Sequence, residues 1–333
     1  MGQVLGLQAA LGEGPTTTEG SLATQALPEY VRTLYTREVL AQLRSLSRGV
    51  VSALDHAGEP VRKRHLIFSG ETLIRESLRL RRAAWWRYLA HAAAHDLIDR
   101  DLKGRLTDTD DDNFRGAMAE CLTSWFFAHK LGVDLRRHRV VSGPGPDFEG
   151  EVNLRVEVKA PHVPIVGTRW SGDDAGTLRE CVAKAGKQFQ AGMVNLVVVV
   201  PLLRTPLFIE RNQLARALIG DHALSVPIAL DDPSPDGEPT NIFRQNGKLA
   251  KLFPKKHGGF GSDLTRISAV IAIEEEFVRA GQGFALQHAV HVVQNPFTPD
   301  ACRLGGGVFA EFPQLSIDDQ GEMAWSDGAP VFP

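Results

Sequence analysis

Gly143-Pro144-Gly145-Pro146-Asp147-Phe148-Glu149-Gly150-Glu151-Val152-Asn153-Leu154-Arg155-Val156-Glu157-Val158-Lys159-Ala160-Pro161 is the stretch on which the reading of this chain turns. It sets two carboxylates, Asp147 and Glu157, and the amine of Lys159 on a short turn and the strand that follows. Side chains on a strand alternate between its faces, so Glu157 and Lys159 share one side while Val156 and Val158 take the other. The valines can pack into a core. The polar groups then need a reason to converge with Asp147, and a divalent cation supplies one. Hard cations such as Mg²⁺ take oxygen ligands, commonly one or two carboxylates with waters and substrate phosphates. A lysine beside them can orient an attacking water and offset charge that builds on phosphorus.

Pro146-Asp147 followed by Glu157-Val158-Lys159 resembles the signature of the PD-(D/E)xK nuclease superfamily, the group that includes many restriction endonucleases. The resemblance covers roughly residues 112–203. It implies a restriction endonuclease-like α/β fold, a mixed sheet flanked by helices. A core helix is expected before the Asp147 turn, often with a further acid, and residues 113–131 read as that helix with Glu120 inside it. Residues 176–190 read as the second helix and residues 194–201 as a buried strand. Several branches of the superfamily place Lys or Gln near the active site at the end of the second helix, where Lys187 and Gln188 stand. The resemblance implies metal ligation by Asp147, Glu157 and the carbonyl of Val158, with Mg²⁺ as the ion and Mn²⁺ as a substitute. The catalytic set it implies is Asp147, Glu157 and Lys159, assisted by Glu120 and Gln188, with Lys187 on the phosphate.

Composition accommodates this reading. The chain has 333 residues, 43% hydrophobic and 23% charged, with a formal net charge of −3. Those are ordinary values for a soluble globular protein with a sizeable core. A DNA-packaging protein would be more basic, whereas a nuclease can cluster its cations and adds acids at its metal site. Cys121, Cys181 and Cys302 have no metal-type spacing, which suits a reduced compartment. The start, Met1 to Gly6, lacks the charged-then-apolar pattern of a signal peptide. No apolar run reaches transmembrane length. A cytoplasmic protein without a membrane segment is expected.

Four regions follow from the pattern. Residues 1–27, rich in Gly, Thr, Ser and Ala, read as a flexible leader. Residues 28–110 read as a helical N-terminal region, with one apolar period from 28 to about 56 and another from about 69 to 102. Residues 111–205 form the expected nuclease core. Residues 206–333 read as an α/β extension, either widening the core sheet or forming a second one. In it, 210–219 reads as a helix, and 226–230, 267–273 and 289–293 read as strands. Residues 231–240 read as a surface loop, and the tail from Pro299 reads as irregular, anchored by Phe309, Phe312, Trp325 and Phe332.

Other constellations have plainer explanations. His91 and His95 share a helix face, but Ala92 stands where a zinc protease has its glutamate. Asp108 to Asn113 echoes a calcium loop, yet the sixth position is Asn113 and the twelfth Ala119, so a solvated cap on the Glu120 helix is the better reading. Positive charge gathers at 62–87, where Trp85 and Trp86 are interleaved and could stack on bases. It gathers again at 248–256 and at Arg136, Arg137 and Arg139. The last three lie beside the expected site, so with Lys187 they are the candidates for contacts to nucleic-acid phosphates.

Three functions compete. The first is a metal-dependent nuclease hydrolysing phosphodiester bonds, a DNA endonuclease of restriction or defence type, with a homodimer left open. The second is a catalytically silent nucleic-acid-binding module on the same fold. The third is a structural or interaction protein in which Glu157 and Lys159 are a surface ion pair.

Overall fold

From Ala84 to Ala93 the first helix is buried nearly all round, Arg87 alone being half-buried. In the computed structural model these residues belong to α1 (Glu71–Ala94). The structure describes residues 71–108, 110–138, 145–151, 153–161, 174–202, 211–218, 221–225, 240–244, 263–281, 283–295, 298–304, 307–317 and 323–329. The expected leader, the helix over 28–56, the strand over 226–230, nearly all of the 231–240 loop, the 248–256 cations, Arg139 and Phe332 lie outside them. The chain divides into two compact units, Met1–Trp125 and Phe126–Pro333.

In the first unit, the expected helix over 69–102 is two helices. α1 stops where Asp96 adopts a left-handed backbone (φ 55°). Asp99 then caps α2 (Arg100–Leu106), its carboxylate accepting from the Leu102 N–H at 2.8 Å. Such a cap satisfies one of the orphan N–H groups at a helix start. α3 (Asp111–Phe126) begins the same way, with Asp110 accepting from the N–H groups of Asp112 and Asn113. Asp108 accepts from the Asp110 N–H and the Asn113 side chain, so this acidic run is a helix cap. The ring of Trp85 packs 5.7 Å from Phe114. Trp85 and Trp86 are 1% and 5% exposed, so they are core residues and cannot stack on bases as the sequence had suggested.

The second unit opens on a π-helical turn (Phe127–Leu131) closed by Gly132 at φ 66°, a left-handed position that suits glycine. One eight-stranded mixed sheet follows, in the order β1-β2-β3-β4-β7-β8-β9-β10. Its strands are β1 (Arg136–Arg137), β2 (Phe148–Glu149), β3 (Leu154–Lys159), β4 (Val194–Val199), β7 (Ala269–Ala280), β8 (Gly283–Gln294), β9 (Gln314–Ile317) and β10 (Met323–Trp325). α4 (Asp174–Gly186) joins β3 to β4, and α5 (Arg211–Leu218) follows β4. A separate antiparallel ribbon pairs β5 (Asp221–Ser225) with β6 (Thr240–Arg244). The fold class is thus α/β with a mixed sheet and helices.

β3, β4 and β7 are parallel, and the middle one, β4, has a near-continuous apolar sequence, because a strand covered on both faces needs no polar side. Glu157 pairs with Val197, Val197 with Val270, Val270 with Val293 and Val293 with Leu315. Leu178, Val182, Ala185 and Phe189 of the α4 segment and Leu214, Ala215, Ala217 and Leu218 of α5 pack on this row, forming one core with Trp325. The C-terminal region therefore widens the same sheet. Its tail is more regular than its Gly- and Pro-rich sequence suggested, because β9 and β10 pair there.

Candidate active site

The turn that delivers the site is built from two special residues. Gly150 leaves room for Leu154, whose Cδ2 would lie 2.9 Å from any Cβ at that position. Asn153 takes φ 60°, a left-handed conformation that Asn tolerates better than most residues. The hairpin closes with the Gly150 N–H donating to the Leu154 carbonyl at 3.0 Å. Phe148 then pairs with Val156, and Glu149 with Arg155.

Continuing that register sets Pro146 opposite Val158 and Asp147 opposite Glu157. Proline has no N–H to give a ladder, so the pairing stops there. The Val158 N–H instead donates to Asp147 Oδ2 at 2.7 Å. A residue's N–H and C=O point to the same neighbouring strand, so the Val158 carbonyl also faces the Asp147 side, where Pro146 offers it no donor. Glu157 is 3% exposed, and the Lys159 ammonium donates to its Oε1. Glu157 and Lys159 thus touch on the face of the sheet covered by α4, and the register puts Asp147 opposite Glu157 on that face.

The same face holds more polar groups toward the sheet edge. Glu149 accepts from Arg155 Nη1 and contacts His138 Nδ1 at 3.2 Å. The His138 bond and the Arg155 charge outweigh burial and hold the Glu149 carboxyl below its usual range. Arg136 pairs with Glu149 across β1 and β2 and so belongs to this face. Arg137 does not. It pairs with Phe148, and its guanidinium lies 5.4 Å from the centre of that ring on the opposite face.

Lys187 and Gln188 stand apart from the trio. Lys187 is exposed and Gln188 half-buried on the turn leaving α4. The next residues meet Arg266 and Asn195, so this turn lies where β4 and β7 begin, whereas Lys159 ends β3. Glu120 belongs to the first unit. Its Oε1 accepts from Arg105 Nη1 at 2.6 Å and its Oε2 from Nη2 at 3.1 Å. Burial works against the Arg105 charge, but Glu120 and Asp101 outweigh it and hold the guanidinium pKa above its ordinary value.

Sequence reasoning missed Arg155 and Cys181. Parity would have found the first, since Arg155, Glu157 and Lys159 alternate along one strand. Cys181, half-buried on α4, lies within electrostatic reach of Lys159. Burial raises its thiol pKa, and the Lys159 and Lys184 charges oppose that rise. Nothing in the spacing of Cys181 signals this.

Among the described residues no group of three or more His, Cys, Asp and Glu side chains converges. Two carboxylates and a peptide oxygen fall below that count. No helix among them is long and apolar enough to cross a membrane. Comparisons with family models, with curated proteins and with solved structures give no match.

Proposed function

We propose that this chain is a metal-dependent nuclease on a restriction endonuclease-like sheet, cutting phosphodiester bonds of DNA in restriction or defence. The observation that supports it is the bond from the Val158 N–H to Asp147 Oδ2 at 2.7 Å, beside the Glu157–Lys159 contact. It gathers two carboxylates, one strand carbonyl and one amine at the place where Pro146 ends a ladder.

Hard oxygen donors suit Mg²⁺, or Mn²⁺ in its place. Asp147, Glu157 and the Val158 carbonyl would hold the ion. The chemistry it supplies is polarisation of a phosphate oxygen and a lower pKa for the attacking water. Lys159 orients that water and offsets the negative charge growing on phosphorus. The Val158 N–H fixes one oxygen of Asp147 and so holds the carboxylate in place. Packing under α4 excludes solvent from Glu157 and strengthens each of these interactions.

The test is plasmid, single-stranded DNA and RNA, each incubated with Mg²⁺, Mn²⁺ or chelator, for the wild type and Asp147→Ala. Cleavage that needs metal and is lost in the variant is the expected result. No cleavage of any substrate under any condition overturns the reading. Salt-dependent binding without cleavage selects the silent module, which the Lys159–Glu157 ion pair also suits.

A further inference from the structure

We infer that Arg136 and Arg155, with Glu149 and His138 between them, seat the backbone phosphate next to the one attacked on a nucleic-acid strand. This rests on the nuclease reading and assigns its substrate a second anchoring point.

Pairing puts Arg136, Glu149 and Arg155 in one row across β1, β2 and β3. Asp147 and Glu157 lie one step further along the same face, and Lys159 one step beyond them. Two residues along a strand span about 6.6–6.8 Å. That is comparable to the reach between neighbouring phosphates on one strand. The two rows differ in sign. Asp147, Glu157 and Lys159 sum to −1, which suits a cation. Arg136, Glu149 and Arg155 sum to +1, which suits an anion.

The second row is also organised for that task. Glu149 accepts from Arg155 and meets His138, which fixes both beside the site. Only one Arg155 nitrogen is committed to Glu149, and a guanidinium presents five N–H donors in a rigid fork that matches phosphate. The Arg155 side chain is 22% exposed, buried enough to be held and open enough to be reached. Arg136 is exposed on the edge strand and makes no ion pair with a described residue. Arg137 faces the other way, so the basic run at 136–139 is split by strand parity, and Arg155 takes the place on this face that Arg137 lacks.

The experiment is binding of a fluorescent duplex in chelator, where cleavage is silent, across a potassium chloride series. The proteins are the wild type, Arg136→Gln, Arg155→Gln, Arg155→Lys and Arg279→Gln. Arg279 is exposed on β7 and supplies a charge-matched control. Each phosphate contact contributes about 0.9 to the slope of log affinity against log salt. We expect Arg136→Gln and Arg155→Gln each to lower that slope by about one. Arg155→Lys and Arg279→Gln should leave it unchanged. Equal slopes in the wild type and both Gln variants overturn the seat, as does an equal fall in Arg279→Gln. Arg136 is exposed and unpaired with described residues, so its variant keeps the test decisive should Arg155→Gln fail to fold.

Plasmid cleavage in Mg²⁺, run in parallel, separates the two readings. Binding with the expected slopes but no cleavage removes the hydrolase and supports the seat. Cleavage with slopes that ignore both arginines supports the hydrolase and removes the seat. Absence of binding at the lowest salt overturns the seat whatever the cleavage result.

Discussion

Asp147 Oδ2 accepts the Val158 backbone N–H at 2.7 Å, taking the role that a ladder carbonyl would have filled. The contact ties a loop residue to the middle of the Glu157-Val158-Lys159 run. Asp147 therefore has one duty in the fold, to end the strand pairing, and a second in the proposed chemistry, as a ligand to the ion.

Those duties separate in mutants. Asp147→Asn keeps an acceptor for Val158 and should stay as stable as the wild type while losing metal-dependent cleavage. Asp147→Ala should lose cleavage and also about 1–2 kcal/mol of stability, since a charge-assisted bond to a backbone N–H disappears. Glu157→Ala should abolish cleavage as well. Lys159→Ala should slow it about 10²–10³-fold while leaving metal affinity largely in place. Calorimetric metal titration beside a cleavage assay checks all four, and full activity in Lys159→Ala would refute the assignment.

Glu120 offers a contrast. Both of its carboxylate oxygens accept from Arg105, and the Glu120 side chain is 5% exposed. Breaking such a pair leaves a charge without its partner. Glu120→Gln should cost about 3 kcal/mol, toward the low end for buried pairs because Arg105 keeps Asp101 and some solvent. Denaturant titration measures it. A stability within about 0.5 kcal/mol of wild type, with cleavage abolished, would instead place Glu120 in the chemistry.

Asn195 interrupts the apolar run of β4 and is fully buried. Its amide donates to the Gln190 carbonyl at 2.8 Å and the Arg266 carbonyl at 2.7 Å. Asn195→Leu should destabilise by about 1–3 kcal/mol, because two partly buried carbonyls lose their donor. Asn195→Asp should be worse, since it points a charge at the same two oxygens. An Asp variant more stable than the Leu variant in chemical denaturation would contradict this account.

His291 gives the chain an acid sensitivity of its own. Burial holds its pKa below the ordinary 6.5, and the Arg211 charge adds to the effect. A depressed folded pKa means the unfolded chain binds the proton first. The contribution is therefore intact above pH 6.5 and is lost as pH falls toward the folded value. Glu149 and Asp327 act in a lower window, because their folded pKa values lie below the ordinary 4.5 and 3.8. His291→Gln should flatten the decline in stability between about pH 7 and 5. Melting temperatures across that range decide it, and an unchanged slope would remove His291 as the cause.

Much of the core sheet was legible because its signals are local. Alternation gave the Glu157 strand, and continuous valines gave β4 as a strand buried on both faces beside it. The Asp99 cap was hidden by an apolar period that runs through Leu97, Ile98 and Leu102, so two helices read as one. The tail read as irregular because the partner that orders β9, the strand β8, lies about twenty residues away. In the site region, basic residues were legible as a cluster but not by face. Parity sends Arg136 and Arg137 to opposite sides, and only the register with β2 reveals which side holds Asp147.

The bond from the Asn195 N–H to the Ser268 hydroxyl spans 73 residues, and it lies where β4 meets β7. A ribosome must therefore add the whole intervening segment before the central parallel pair can close. Until then β4, apolar but for Asn195, has one edge without its final neighbour. Non-local pairing of this kind is slow and leaves strand edges open to aggregation. Production of this protein should respond to slower synthesis and lower temperature more than to any change at the site.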